Sequence, residues 1–367
     1  MDMSEYIDKL KRIVNTDSGS GDEEGIRAVS AIVKSWYEDL GFQAAADADT
    51  GCLEIKNYEG GKADFMFSGH LDTVFPHGTA AERPFTIVDR VAHGPGAADM
   101  KGGVVLMYLL AKDILRKYPD TKILVFLNSD EELGSLKSYE AITEKAGDAV
   151  HCFVFEPGRI NGEFVGERKG IIEYKICFHG VAAHAGINPQ DGASAVRMMA
   201  KWALKLEELS DYSKGTSVNV GLVRGGTAVN VVPDYAEMSV ESRFETIAEK
   251  SRVCRGIETI KQDLHDAKIG VDVRCVSTCP PMEMNAQTKE LQNYFLTAGK
   301  KLDRQITFIK TGGVSDANHI SAAGIAVIDG CGPCGTNLHN DKEYLLLDSV
   351  SERMRLLLKV VDLIREG

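Results

Sequence analysis

Short apolar runs that end in polar or glycine-rich sequence constrain the fold of this chain more than any other feature. Three such runs lie at residues 64–68, 123–128 and 152–156, and residues 102–117 have the spacing of a helix. Buried strands that alternate with helices are typical of a mostly parallel sheet with helices on its faces. Ligands of such sheets bind at the carboxyl ends of the strands. We therefore expect an α/β layer with its functional residues at that edge.

A different pattern interrupts this layer. From about residue 169 the apolar spacing predicts strand, helix, strand, strand, helix and strand, and after Pro280-Pro281 the α/β pattern resumes with a helix at 288–302, a strand at 325–329 and a helix at 349–365. A chain of 367 residues is long enough for more than one core. We predict an α/β domain from residues 1–168 and 283–367, and an inserted βαββαβ (ferredoxin-like) domain from residues 169–282.

Composition excludes several classes of function. The formal net charge of −12 disfavours nucleic acid as a partner. The first residues lack the basic and apolar runs of a secretory signal, and no apolar stretch is long enough to span a bilayer, so we expect a cytoplasmic protein without a membrane partner. Eight cysteines scattered through a long chain suit reduced thiols better than a disulfide framework.

Polar side chains follow the first two apolar runs. His70 and Asp72 come directly after the first run, and in an extended chain residues two apart point the same way. A metal-bound imidazole needs a carboxylate or carbonyl on its second nitrogen, although a single His-x-Asp is common. Asp130, Glu131 and Glu132 follow the second run, where acids usually mark a solvated turn. One glutamate could instead bind a metal ion while its neighbour moves a proton.

Three further candidates complete the pattern. Asp99 stands in a glycine-rich bend before a helix, Glu156 ends the third apolar run, and His339 follows a glycine-proline loop. Each has an ordinary structural interpretation, such as a helix N-cap for Asp99. Two histidines and three carboxylates at the strand ends of one layer, however, make up the ligand set of a dinuclear metal site.

These motifs resemble those of the dizinc amidohydrolases and metallopeptidases that include glutamate carboxypeptidase (carboxypeptidase G), acetylornithine deacetylase, succinyl-diaminopimelate desuccinylase and aminoacylase. The resemblance covers essentially the whole chain. Its runs occur in order as Gly69-His70-Leu71-Asp72-Thr73, Gly96-Ala97-Ala98-Asp99-Met100-Lys101-Gly102-Gly103, Asp130-Glu131-Glu132-Leu133-Gly134-Ser135, Glu156-Pro157, and Gly332-Pro333 leading to His339.

The resemblance implies two zinc ions, with cobalt or manganese as substitutes. One metal would be held by His70 and Glu156, the other by Glu132 and His339, and Asp99 would bridge them. The remaining two residues are expected to act without binding metal: Asp72 would orient His70, and Glu131 would be the general base.

The inserted domain resembles the family's lid, which commonly also forms a dimer interface. His184, in Ala183-His184-Ala185-Gly186, matches a histidine that helps to polarise the scissile carbonyl, often from the partner subunit. Asn230 and Arg243 match residues that hold the substrate carboxylate, and Gly313 lies in a similar glycine-rich substrate loop. A surface cation paired with a neighbouring glutamate is the alternative interpretation of Arg243. A homodimer through the lid is expected.

The resemblance favours a small substrate with a free carboxylate. Glu156 and the run Gly94-Pro95-Gly96 favour the carboxypeptidase and deacylase branches. The predicted function is therefore hydrolysis of an amide or peptide bond in an N-acyl or peptidyl amino acid, most like a glutamate carboxypeptidase. An N-acyl amino acid deacylase or a tripeptidase-like aminopeptidase are alternatives within the family. The chain departs from the family at Leu136-Lys137-Ser138, where glycine and a charged residue are usual.

Two features of the sequence bear on other classes of function. Cys331-Gly332-Pro333-Cys334 has the letters of the thioredoxin redox motif, in which a helix N-terminus lowers the thiol pKa. Too little chain follows this motif for the rest of a thioredoxin domain. A non-catalytic metal-binding relative would have lost Glu131 or a ligand, and all those residues are present.

Overall fold

The computed structural model describes residues 2–366 as two compact units. The larger unit contains the residues up to Glu167 together with Met284–Thr311 and the residues from Ser315 onward. We call it the α/β unit. The smaller one, the inserted unit, contains Arg168–Glu283 and Gly312–Val314.

A six-stranded sheet forms the centre of the α/β unit. Two strands, Gln43–Ala46 and Leu53–Lys56, lie at one edge, and Leu53–Lys56 is antiparallel to both of its neighbours. The other four strands are parallel to one another. The expected mostly parallel sheet is confirmed. The four parallel strands, in spatial order, are Ile123–Asn128, Ala63–His70, Ala149–Val154 and Ala326–Ile328.

Helices surround this sheet and share one core with it. The helix Gly102–Lys117 is apolar on almost every side and largely buried, as expected for a helix inside a large domain. The C-terminal helix Leu347–Glu366 buries one face, including Leu357 and Val361. The other helices are Met3–Val14, Glu23–Glu38, Thr79–Glu82, Tyr139–Gly147, Ala286–Lys301 and Asp316–Ala322.

Several short strands lie outside the central sheet. They have two to five residues, which is too short for the apolar alternation that identifies a strand in sequence. A small four-stranded sheet is formed, in spatial order, by Gly335–Thr336, Tyr344–Leu346, Val91–His93 and Thr86–Val88. A separate pair is formed by Phe308–Thr311 and Phe164–Arg168.

The inserted unit has the predicted βαββαβ order. Its two helices are Ala195–Glu207 and Ile247–Asp263, and its core includes Phe178 and Trp202, whose rings make an edge contact. A short strand pair, Ala183–His184 with Val231–Val232, lies outside the main sheet. The strands of the antiparallel four-stranded sheet, in spatial order, are Ser217–Gly225, Tyr235–Phe244, Gly170–His179 and Gly270–Cys279.

A search of the helices within residues 2–366 finds none with the length and apolar character required to cross a membrane.

Candidate metal centre

The carboxyl ends of the parallel strands carry the predicted ligands to one edge of the sheet. His70 is the last residue of its strand and pairs in register with Asn128, the last residue of the neighbouring strand. Glu131 and Glu132 lie on a 3-10 turn immediately after that neighbour. The third strand ends at Val154, earlier than the sequence predicts, so Glu156 lies just beyond it.

Asp99 and His339 reach the same place from loops. Asp99 lies in the turn Ala97–Lys101 before the helix Gly102–Lys117, with extended rather than helical backbone, and its peptide bond to Met100 is cis. His339 follows the short strand Gly335–Thr336 and has a positive φ of 60°.

Asp99 lies between the two histidines. Its Oδ1 is 3.3 Å from His70 Nε2, and its Oδ2 is 3.3 Å from His339 Nε2. Each histidine has a second carboxylate nearby: Glu156 Oε1 is 3.7 Å from His70 Nε2, and Glu132 Oε2 is 3.0 Å from His339 Nε2. The five side chains thus form two sets that share one carboxylate, which is the arrangement that a bridging ligand between two cations requires.

Unpaired atoms in this cluster fit a cation. Glu132 Oε1 and Glu156 Oε1 are buried and have no hydrogen-bond partner. His70 Nδ1 is 2.9 Å from the carbonyl oxygen of Asp72, which accepts a hydrogen bond when Nδ1 carries the proton. In that neutral tautomer the lone pair of Nε2 faces Asp99. Lone pairs and carboxylate oxygens directed at each other need a positive charge between them, so the donor set suits a metal ion.

The distances within the cluster do not by themselves distinguish the metal ligands from the general base. Ligand atoms of His70, Asp99 and Glu132 lie within 4.8 Å of one another, and so do those of His70, Glu131 and Glu156. Glu131, the predicted base, is therefore as close to the cluster as the predicted ligands. A general base must reach the water that reacts at the metals, so this position suits the predicted role.

Burial and charge shift the pKa values strongly. Burial raises the pKa of Glu131 and Glu156 well above the ordinary value, and it raises the pKa of Glu132 to about 7. Burial acts in the same direction on Asp99, but hydrogen bonds from His339 and His70 hold the pKa of Asp99 below its ordinary range. So many buried carboxyl groups favour the binding of positive charge.

Asp72 holds other groups in place besides the His70 ring. Its carboxylate accepts a hydrogen bond from Ser20 Oγ at 2.8 Å and from the backbone N–H groups of Glu131 and Glu132 at 3.2 Å each. Its Oδ1 also lies 3.4 Å from His70 Nδ1. One buried carboxylate therefore fixes a predicted ligand together with the turn that carries the predicted base.

Two buried acids that sequence reasoning missed support the site. Glu343 accepts hydrogen bonds from the backbone N–H groups of Gly96, Ala98 and Asp99 at 3.2, 2.7 and 3.0 Å, so it holds the bend that carries the bridging residue. Burial raises the pKa of Glu343 to about 7. Only its position four residues after His339 could have drawn attention to it in the sequence.

The second missed acid is Asp316. It accepts hydrogen bonds from Asn128 Nδ2 at 3.1 Å and from Ser135 Oγ at 2.6 Å. These contacts connect the end of a central strand to the loop after Glu132. Burial raises the pKa of Asp316 to about 6.

The remaining predicted site residues belong to the inserted unit. His184 and Asn230 are exposed, and they lie close together because the N–H of Ala185 donates to the carbonyl of Asn230 at 2.9 Å. Arg243 forms a two-point ion pair with Glu241, as its structural alternative anticipates, and also donates to the carbonyl of Gly312. The carbonyl of Gly313 accepts from Arg168 at 3.0 Å.

The cysteines of the redox alternative are buried. Cys331 and Cys334 lie in the loop between two strands, Ala326–Ile328 and Gly335–Thr336, and no helix begins there. Burial raises the pKa of the Cys331 thiol well above its ordinary value. A reactive thiol needs the opposite shift, so the structure gives no support to a redox function.

Comparisons with known proteins identify the family of this chain. A model of the peptidase family M20/M25/M40 matches residues 66–363. Carboxypeptidase G2 from Pseudomonas sp. (strain RS-16) is 28% identical over 379 aligned residues, which cover 97% of this chain and 88% of the relative. Succinyl-diaminopimelate desuccinylase from Colwellia psychrerythraea is 26% identical over 313 residues, 78% of this chain and 76% of that protein.

A solved structure is similar in fold. The crystal structure of aminopeptidase PepT from Bacillus cereus superposes with a TM-score of 0.79 at 21% identity, over 98% of both chains. The family resemblance seen in the motifs is confirmed. The chain belongs to the peptidase family M20/M25/M40 and is a metal-dependent hydrolase.

Proposed function

We propose that this protein hydrolyses the amide or peptide bond of a small N-acyl or peptidyl amino acid with a free carboxylate, most like a glutamate carboxypeptidase. The observation that carries the proposal is Asp99 between two histidines, with a second carboxylate beside each histidine. The similarity to carboxypeptidase G2 over 97% of the chain supports the choice of substrate class.

Five side chains would hold the metals. His70 and Glu156 would bind one ion, Glu132 and His339 the other, and Asp99 both; we propose zinc, with cobalt or manganese as substitutes. When bound, two such cations polarise the scissile carbonyl and make water a stronger nucleophile at neutral pH. The unpaired oxygens of Glu132 and Glu156 support their role as ligands.

Glu131 would move the proton. Its carboxyl group lies with His70 and Glu156 in one cluster, and burial raises its pKa well above the ordinary value. A carboxyl group with a raised pKa accepts a proton from the attacking water more readily and can return it to the departing amine nitrogen. Asp72 would keep this residue in place through the N–H of Glu131.

The inserted unit would supply the contacts to substrate. Glu241 accepts from Nε and Nη2 of Arg243, and the carbonyl of Gly312 accepts from Nη1. These contacts fix the orientation of the guanidinium and leave one N–H on Nη1 and one on Nη2 for a substrate carboxylate. We propose that Arg243, Asn230 and Gly313 hold the substrate carboxylate and that His184 polarises the scissile carbonyl.

Removal of an N-acyl group from an amino acid is the second candidate function. The desuccinylase relatives, at 26% identity for the one from Colwellia psychrerythraea, favour it. The same ligands and base would serve either reaction, because both cleave an amide beside a free carboxylate. The aminopeptidase alternative has support only from similarity of fold.

We propose that the protein is a cytoplasmic homodimer that associates through the inserted unit. In that unit the edge strand Ser217–Gly225 exposes Leu222 and Val223, which is the kind of edge that a second chain can cover. Sedimentation velocity should show a dimer, and a monomer at all accessible concentrations would contradict it.

A substrate panel tests the proposed reaction. The zinc-loaded protein would be assayed with N-benzoyl-glutamate, glycyl-glutamate, N-succinyl-glutamate and N-acetyl-ornithine, and with N-benzoyl-glutamine α-amide as the control that lacks free carboxylates. We expect the first two to have the highest kcat/KM, and the control to fall by about 100-fold or more, because a site built for a carboxylate rejects its neutral analogue. A preference for the succinyl or acetyl compounds would select the deacylase. Equal rates for the control would contradict the carboxylate requirement.

A further inference from the structure

The α/β unit contains a cleft that the proposed reaction does not use. It lies beside the C-terminal helix Leu347–Glu366 and has a volume of about 110 Å³. One water occupies roughly 10–15 Å³ by this measure, so the cleft has room for a small organic molecule. Neither Glu131 nor any proposed metal ligand lines it. Ser349, Glu352, Arg353 and Leu356 contribute one face of the helix.

Arg353 is the unusual residue of this cleft. It is only 4% exposed, yet among residues 2–366 it has no carboxylate partner. Its Nη2 makes two long contacts, 3.4 Å to the carbonyl of Glu163 and 3.8 Å to Cys334 Sγ, and its guanidinium lies 3.9 Å from the centre of the Phe164 ring. Nε and Nη1 have no acceptor within the described chain. A guanidinium carries five N–H donors, and a buried charge without a counter-ion is costly.

The surroundings add positive charge. Three arginines, Arg304, Arg353 and Arg355, line the cleft with a single acid, Glu352, which pairs with Arg304. Arg355 is exposed and forms no ion pair in the part of the chain that the structure describes. This excess of positive charge stands out in a chain whose net charge is −12.

The rest of the lining is apolar. Phe164, Leu302, Ile306 and Leu356 contribute side chains to the same cleft. A ligand that suits both parts has a planar anionic group for the guanidinium fork and an apolar body for these side chains.

We propose that this cleft is a second binding site, for a small organic carboxylate with an apolar or aromatic body, held by Arg353, with the exposed Arg355 adding positive charge at the cleft. The site is independent of the proposed hydrolysis. It adjoins two of the segments that carry predicted ligands: a Cβ at Gly158, after Glu156, would lie 2.3 Å from Arg353 Nη2, and Cys334 precedes His339. A bound carboxylate would therefore hold Arg353 against these two loops.

Calorimetric titration with benzoate tests the site on the full-length, metal-loaded protein. We expect a saturable event that persists in Arg243→Ala and in the metal-free protein, with a Kd of about 1 mM, typical of a small ligand with one charged contact. Arg353→Lys keeps the charge but loses the fork, and should weaken binding by about tenfold or more. Arg355→Gln changes an exposed residue that folding does not require, and should weaken binding by about threefold to tenfold. Acetate, which lacks the apolar body, should bind more weakly than benzoate.

Two control variants separate this site from others. Arg12→Gln removes an exposed arginine that does not line the cleft, and Arg243→Ala removes the proposed contact to substrate. Both should leave the affinity for benzoate unchanged. The proposal is overturned if benzoate shows no saturable binding, if Arg355→Gln and Arg12→Gln have the same effect, or if Arg243→Ala abolishes binding while the cleft variants retain it. Failure of the substrate panel would not affect this result.

Discussion

The two units differ in how most of their predicted functional residues are held, although His339 of the α/β unit is itself exposed. In the α/β unit, His70, Asp72 and Asp99 are almost fully buried, and backbone N–H groups or neighbouring side chains hold them in place. In the inserted unit, His184 and Asn230 are exposed, and the strand that carries Arg243 holds it through Glu241. The first set is preorganised within one chain. The second set is available on a surface, as suits residues that meet substrate or a partner subunit.

This contrast predicts that substitutions in the two units affect different kinetic constants. A buried, preorganised group that moves a proton should control kcat, because it acts in the transition state. An exposed group that holds a substrate carboxylate should chiefly control KM.

Glu131→Gln should give the largest loss. Removing a general base typically lowers kcat by about 10²–10⁴-fold. Because Glu131 is a proposed base and not a ligand, the metal content and the thermal stability of the variant should stay near those of the unsubstituted protein. Steady-state kinetics and metal analysis of the same sample measure both, with Glu144→Gln as an exposed control of the same chemistry. Loss of one metal with the activity would show that Glu131 is a ligand.

Glu343→Gln should weaken metal binding. The carboxylate accepts three backbone hydrogen bonds around Asp99, and an amide offers one oxygen and a nitrogen that cannot accept. Loss of such support for a ligand typically costs about 10–100-fold in metal affinity. Zinc competition against a chelator would measure it. Asp341→Asn, which changes a nearby exposed acid, is the control. An equal loss of zinc affinity in both variants would contradict the proposal that Glu343 positions Asp99.

Arg243→Ala should raise KM for a substrate with a free carboxylate. A hydrogen bond to a charged group contributes about 1.5–3 kcal/mol, so KM should rise by about tenfold or more with a smaller change in kcat. Arg243→Lys keeps the charge but not the fork of the guanidinium, so it should raise KM by less than Arg243→Ala does. Unchanged KM and kcat in Arg243→Ala would mean that its ion pair with Glu241 is purely structural.

Metal removal should make stability depend on pH. Burial raises the pKa of Glu132 and of Glu343 to about 7, so the folded, metal-free protein binds protons that the unfolded chain has released above about pH 4.5. Stability from these groups is present at low pH and is lost as the pH rises through 7. The raised pKa of His70 acts in the same direction, despite its burial, because Asp72 and Asp99 hydrogen-bond to it.

His319 opposes part of this trend, because burial lowers its pKa to about 4 while the unfolded histidine releases its proton near pH 6.5, so its contribution to stability rises from pH 4 to about pH 7.5. Between pH 6 and pH 8 the free energy of unfolding of the metal-free protein should fall by about 1–2 kcal/mol. The zinc-loaded protein should change less, because the ions neutralise the carboxylates. Denaturant unfolding at both pH values, with and without chelator, measures the difference. Equal pH dependence of the two forms would contradict this account of the cluster.

Sequence alone predicted the layers and the order of the strands because both follow from local patterns, although the third strand ends two residues before the predicted position. Apolar runs identified the central strands, and the polar residues after them, such as His70 and Glu132, were identified as candidates before their positions were known. Glu343 and Asp316 were missed because their importance lies in backbone N–H and side-chain partners far along the chain, such as Ala98 and Asn128. Apolar periodicity carries no information about such contacts.

The sequence also could not predict the distances between the site residues. The motif order could not show that Asp99 directs one oxygen at each histidine, since that depends on an irregular turn and on the positive φ of His339. In the same way, helical periodicity places Arg353 on a buried face of the last helix, but only the packing shows that it lacks a carboxylate partner.

Counting bound metal in crystals tests the central claim most directly. Anomalous diffraction from zinc-loaded crystals should show two ions per chain, one contacting His70 and Glu156, the other Glu132 and His339, with Asp99 between them. His339→Ala should lose the second ion and keep the first. Zinc at neither position, or two ions with unchanged occupancy in His339→Ala, would contradict the proposed dinuclear centre.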